Sequence, residues 1–151
     1  MAATLSPKDL AVLGHALEFM QPAPTGEIAV TYNTGDPASR QDAEAIVTAI
    51  GAGITVGEVV LRPRLVESAA LGSSRFAVAI VAAGANGPQV SQATRAAHAL
   101  CVTAEPAAVQ AGLCTMSIVS EPRVRIVINH AAAAASGIEF AAAFRIMIRE
   151  I

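Results

Sequence analysis

The alternation of apolar and polar residues is clearest toward the end of the chain. Arg123, Arg125 and Val127 alternate with Val124, Ile126 and Ile128 over a β-branched run, the pattern of a sheet strand with a covered face. After an alanine-rich linker and Gly137, the residues Phe140, Phe144, Met147, Ile148 and Ile151 recur at helical spacing. They predict one amphipathic helix whose apolar stripe needs cover.

The chain before this stretch alternates helix and strand patterns. Ser6, Pro7 and Asp9 supply a capping hydroxyl, a proline for the first helical position and an acid for the first turn. A helix is expected from there to about Met20, stopped by Pro22. It carries two apolar stripes, Leu10, Leu13, Leu17 and Met20 on one side and Val12, Ala16 and Phe19 on the other. Such a helix wants cover on more than one side, so Leu13 and Phe19 are candidate contact residues for a partner. Glu27 to Asn33 reads as a strand, Gly35-Asp36-Pro37 as punctuation, and Pro37 to Ile50 as a helix. Ile54 to Leu61 reads as a second strand with Gly57 as a bulge, and Val66 to Leu71 as one or two helical turns. Phe76 to Ala82 is uniformly apolar, as a central parallel strand buried on both faces must be. Pro88 to His98 then predicts a helix, Ala99 to Thr103 a strand, and Glu105-Pro106 a short helix ending near Gly112. Leu113 to Val119 and Arg123 to Asn129 are joined by too short a link for anything but an antiparallel hairpin.

About six strands alternating with helices predict a single three-layer α/β/α domain over residues 1–151, with a mostly parallel sheet and a C-terminal antiparallel hairpin. In open sheets of this kind ligands settle at the carboxyl ends of the parallel strands. That rule selects Asn33, Gly35 and Asp36, then Gly84, Asn86 and Gly87, then Thr103 and Glu105 as candidate ligand-binding residues. Gly84-Ala85-Asn86-Gly87 runs into a helix N-terminus, where free N–H groups could hold an anion. Its spacing matches neither dinucleotide nor P-loop fingerprints, so an ordinary loop stands beside that reading. Asp36 reads equally as a helix cap.

Composition narrows the function classes. The chain is 54% hydrophobic but only 3% aromatic, carries a net charge of −2 and has no basic run. Nucleic acid is therefore not an expected partner. The longest apolar run, Phe76 to Ala85, is about half of the roughly 20 residues a spanning helix needs. The N-terminus lacks a basic segment, and Asp9 and Glu18 interrupt any apolar core there. The sequence as it begins predicts a cytoplasmic protein, or a periplasmic one whose leader has been replaced by a start Met. His15, His98, His130, Cys101 and Cys114 are the only soft ligands and show no metal-binding spacing. No metal or cofactor is expected. Cys101 and Cys114 each sit near the start of a strand, and read either as a disulfide or as two buried thiols. There is no GxSxG elbow, and Val81-Ala82-Ala83-Gly84 lacks the carboxylate that a phosphorelay receiver needs after its central strand. The residues thus predict a binding protein, not an enzyme.

Residues 112–146 resemble the C-terminal signature of the YfiR-like family. The match runs through Gly112-Leu113-Cys114-Thr115-Met116-Ser117-Ile118 and Arg123 to Asn129, then Ala131, Ala134, Ala135, Gly137 and Ile138. Leu17 to Pro22, just before the first strand, is similar to the family's opening, with Gln21-Pro22 standing where an aromatic-proline pair is usual. The resemblance implies a regulator that binds and restrains a membrane-bound diguanylate cyclase in the periplasm through protein contacts. No matched motif fixes the contact residues. Ile146, off the main stripe of the predicted last helix, joins Leu13 and Phe19 as a candidate interface position, and the excess of apolar helix surface predicts a homo-oligomer. The alternative reading is a receptor for an anion, nucleotide or amino acid, resembling half of a periplasmic binding protein.

Overall fold

The computed structural model describes residues 4–151. Ser6 caps α1 (Pro7–Leu17): its side chain accepts from the Asp9 N–H while the Asp9 carboxylate accepts from the Ser6 N–H, a reciprocal capping box. The chain continues through β1 (Met20–Gln21), β2 (Glu27–Tyr32), α2 (Pro37–Ile50), β3 (Ile54–Val56) and β4 (Val59–Glu67) to a 3-10 helix at Ser68–Ser73. Then come β5 (Val78–Val81), α3 (Pro88–Ala96), β6 (Leu100–Thr103), α4 (Pro106–Gln110) and the hairpin of β7 (Met116–Val119) and β8 (Arg125–Ile128). The chain closes with α5 (His130–Ala135), β9 (Glu139–Phe140), α6 (Ala142–Arg145) and β10 (Arg149–Glu150).

Eight strands form one sheet in the order β10-β8-β7-β6-β5-β2-β4-β3. The five strands β4, β2, β5, β6 and β7 run parallel, β3 is antiparallel to β4 and β8 to β7, and β10 pairs parallel with β8. The α/β sandwich with a mostly parallel sheet and a C-terminal hairpin is therefore present. From β2 the chain passes through α2 to β4 on one side, then crosses back to β5 on the other. The β2–β5 crevice is thus the point at which the strand order reverses.

Every residue of β5 and β6 is buried, because helices cover both faces. One face packs Ile28, Val30, Ile80, Leu100, Met116 and Ile118 against Leu13, Leu17, Ile46 and Phe144. The other packs Ala29, Val66, Val81 and Cys101 against Leu71, Val90 and Val109. Cys101 and Cys114 form a disulfide with Cα atoms 5.1 Å apart, tying β6 to the loop before β7.

The structure corrects four expectations. The last segment is not one amphipathic helix: Ile138 to Ile151 breaks into β9, a single turn of α6 and β10. Its backbone groups find better partners in sheets, β9 against β1 and β10 against the outer edge of β8, than in an isolated helix of a length marginal in water. The alanine linker is instead helix α5, capped by the Asn129 side chain on the Ala132 N–H. The first helix ends at Leu17, and Phe19 is followed by the extended β1 that pairs with β9. The span from Ile54 is a hairpin, β3 to β4, with Gly57 (φ +61°) opening its two-residue turn.

Leu13 is completely buried under the sheet, whereas Ile146 is 86% exposed. Leu13→Ala should therefore cost about 2–5 kcal/mol of unfolding free energy and Ile146→Ala about 0.5 kcal/mol or less. Urea unfolding of both variants checks this; equal losses would contradict the packing.

Candidate functional site

The carboxyl ends of β2 and β5 carry most of the polar groups in the crevice between them. Leaving β2, the Asn33 side chain accepts from the Gly35 N–H at 3.2 Å, and Asp36 caps α2 by accepting from the Ala38 N–H at 3.0 Å. Leaving β5, Gly84 takes φ +76°, and a Cβ at that position would come 3.0 Å from the Asp36 carboxylate. Only glycine avoids both the strain and that contact. A cleft of about 240 Å³ opens here, lined by Asn33, Ser68, Gly84, Asn86, Gly87 and Gln89 among others.

Thr103 and Glu105, from the end of β6, stand behind this cleft and hold Asn86. The Asn86 amide donates to Thr103 Oγ1 at 3.0 Å and to the Glu105 carboxylate at 3.2 Å, and the Glu105 N–H donates to Thr103 Oγ1 at 3.1 Å. Asn86 Oδ1 is buried with no hydrogen-bond partner. Of the residues selected from the sequence, Asn33, Gly84, Asn86 and Gly87 line the cleft, while Asp36 caps α2 beside Gly84 and Gly35, Thr103 and Glu105 serve the neighbouring turns.

Two contributors lie outside that selection. Ser68 donates to the Tyr32 carbonyl at 2.9 Å and lines the cleft from the end of β4, a stretch without readable periodicity. Asp42, on α2, accepts from the Ala83 N–H at 2.8 Å and so fixes the β5 loop from a position 41 residues away. Burial raises the Asp42 carboxyl above its usual range, and the Ala83 hydrogen bond opposes that rise.

Neither surroundings nor spacing supplies a reacting pair. Among the described residues, no three of His, Cys, Asp and Glu gather as a metal-ligand set. The cleft offers amide dipoles and free N–H groups at the uncapped start of α3, with no cationic side chain in its lining. That arrangement suits reversible binding of a small polar molecule.

A second concavity, about 560 Å³, lies at the C-terminal edge of the fold. Its floor includes Ile138 and Phe140, one wall is Ala133 and Ala134 of α5, and Arg145 and Glu150 stand on its rim. The bulk-free alanines and Gly137 leave the recess open. Phe144 packs beneath, stacked on Phe19 at 5.4 Å between centroids and tilted on Phe140 at 5.2 Å. Phe19 is half-buried in this aromatic cluster, whereas Leu13 is fully buried and is not the contact residue expected. Arg145 Nε donates to Glu150 at 2.8 Å; this bond and the nearby charge hold the Glu150 carboxyl below its usual range. Between those two rim residues the chain exposes Ile146 (86%) and Met147 (73%).

The fold is similar to that of a solved structure. It is the crystal structure of a conserved domain protein from Vibrio cholerae O1 biovar eltor str. N16961, 17% identical, with a TM-score of 0.57 over 98% of this chain. The present chain spans 61% of that protein's chain. At this identity the likeness speaks to fold alone. No family model and no curated protein matches the sequence. No helix among the described residues is long and apolar enough to cross a membrane.

The raised Asp42 carboxyl has a measurable consequence. A carboxyl that holds its proton more tightly when folded contributes stability that is full below the unfolded value of 3.8 and is lost as pH rises through the folded value. Asp42→Asn keeps an acceptor for the Ala83 N–H but does not titrate. The stability of the wild type relative to this variant should therefore fall as pH is raised above about 4 in urea unfolding. A relative stability that rises over that range would mean the hydrogen bond to the anion outweighs desolvation.

Proposed function

We propose that this chain is a non-enzymatic regulatory domain that acts by binding another protein, as its YfiR-like resemblance implies. The observation that carries this reading is the C-terminal turn, which presents Ile146 and Met147 to solvent beside a concave surface with an apolar floor. Large apolar side chains exposed together at the rim of a groove are a feature of contact surfaces. The polar rim of Gln21, His130, Glu139, Arg145 and Glu150 around that floor matches the anatomy of such surfaces. The partner that the resemblance implies is a membrane-bound diguanylate cyclase. The Cys101–Cys114 disulfide suits the oxidising periplasm in which that family works.

The second reading is a small-ligand receptor. It is favoured by the position of the polar cleft at the β2–β5 switch point, where sheets of this topology bind ligands.

Two measurements separate these readings. Exporting the protein in a bacterium with an active membrane-bound diguanylate cyclase should lower cellular cyclic di-GMP, and Ile146→Asp/Met147→Asp should abolish the fall. An unchanged level with the wild type would count against regulation of a cyclase. Thermal unfolding against a panel of anions, nucleotides and amino acids tests the receptor: a true ligand at 100 times its dissociation constant adds about 2.7 kcal/mol, and no shift across the panel would remove that reading.

A further inference from the structure

We infer that the outer edge formed by β8 and β10 binds an extended acidic segment of a partner protein, which adds to the sheet as a further strand. This rests on the reading of the chain as a domain that binds another protein, and it names the chemistry of what is bound. β8 runs from Arg125 to Ile128, but β10 pairs with Val127 and Ile128 alone. Arg125 and Ile126 therefore have a strand neighbour, β7, on one side only, and nothing pairs with β10 beyond it. Such an edge offers backbone N–H and C=O groups to an incoming strand.

The side chains along the edge select the strand. Arg125 and Val127 share one face of the sheet by the two-residue period, and Arg149, the register partner of Val127, joins them there. That face is the one on which Val127 packs toward Cys101 and Val109, opposite the recess that Ile128 lines. Arg123 stands at the start of the same edge. Among the described residues, Arg123, Arg125 and Arg149 make no ion pair, because the nearest acids in sequence are taken: Lys8 holds Glu121 at 3.2 Å and Arg145 holds Glu150 at 2.8 Å. The edge is thus positive where its backbone is open. By the same period Val124, 48% exposed, falls on the other face. A strand that alternates acidic and apolar residues would lay carboxylates along Arg125 and Arg149 and apolar side chains beside Val124.

The same charges turn other occupants away. A second copy of this edge would bring arginine up to arginine, and like charges set opposite each other destabilise a strand pair. Attraction for an acidic strand and repulsion of a basic one together give selectivity. The opposite end of the sheet does not offer an equivalent site. There β4 continues past β3 from Arg62 to Glu67, but Pro63 lacks the N–H that a ladder needs.

Nuclear magnetic resonance titration of the full chain with a capped peptide of alternating valine and glutamate tests this. The expected result is saturable binding with a dissociation constant below about 1 mM, amide shifts centred on Val124 to Ile126, and weakening as salt is raised from about 50 to about 300 mM. Arg125→Glu/Arg149→Glu should weaken binding by about tenfold or more and should take up the matching valine–lysine peptide instead. Both side chains are exposed, so far-UV circular dichroism and the urea midpoint should not change. A wild type that ignores the acidic peptide at about 1 mM, binds both peptides equally, or shows shifts centred elsewhere overturns the inference, as does binding that survives the charge reversal. Binding to phosphatidylglycerol vesicles without binding to the peptide would assign the arginines to a membrane surface and overturn it too. A wild type that lowers cyclic di-GMP but ignores the peptide refutes the edge site alone; one that binds the peptide at this edge without lowering cyclic di-GMP refutes the cyclase reading and leaves the edge site standing.

Discussion

The constraint on which this fold depends is that the central strands β2, β5 and β6 must be covered on both faces. From Ile28 to Tyr32, and throughout Val78–Val81 and Leu100–Thr103, every residue is buried. Fully burying a Val, Leu or Ile side chain is worth about 1.5–3 kcal/mol relative to leaving it exposed, so a bare sheet face here would sacrifice the largest favourable term available. Helices α1 and α2 with Phe144 therefore close one side, and α3, α4 and the 3-10 helix close the other. Polar chemistry is pushed to the strand ends, where the backbone leaves the ladder. Thr31, Thr103, Asn33 and Asn86 all stand there, which is why the small polar cleft and the topological reversal coincide.

Within that frame the long-range polar contacts hold loops in place. Asp42 reaches from α2 to the Ala83 N–H, Asn129 donates to the Val109 carbonyl at 2.9 Å, and Asp9, while capping α1, also bonds the Ser120 hydroxyl at the end of β7. Each satisfies a group that would otherwise be buried or half-buried without a partner, and such an orphan costs more than the net gain from a typical exposed bond. The loops around the cleft are therefore positioned by helices that do not line it. A substitution at Asp42 would act on the cleft through Ala83.

The sequence was legible where local pattern and burial agree. Phe76 to Ala82 is apolar throughout, and the β5 it predicts is buried on both faces; α2 begins and ends at Pro37 and Ile50 because Asp36 and Gly51 punctuate it. The cleft loops followed from strand direction alone. What could not be read are elements whose existence depends on a remote partner. Strands β1, β9 and β10 have two residues each and are strands only because of what pairs with them. The helical spacing of Phe140, Phe144 and Ile148 was real, but it reflected β9, α6 and the bend before β10 each turning a side chain to the same core. The groove was invisible for a related reason: its wall, α5, is a run of alanines with no stripe to mark a buried side.

The C-terminal edge is where the covering of the sheet runs out. Beyond β8 the sheet has only the two residues of β10, and α5 and α6 are too short to extend the apolar layer past it. Phe144 takes the last buried position, so Ile146 and Met147 are carried outward by chain geometry. Hydrophobic side chains scattered singly on a surface need no explanation, but these two are consecutive and sit at the rim of a recess left by residues too small to fill it. Arg149 and Glu150 on the open strand edge discourage the indefinite strand addition that such an edge invites. Val59 and Val60, near the opposite edge of the sheet, and Val124, in the hairpin, are also exposed, at 38%, 48% and 48%, so what sets the C-terminal turn apart is its greater exposure beside a recess.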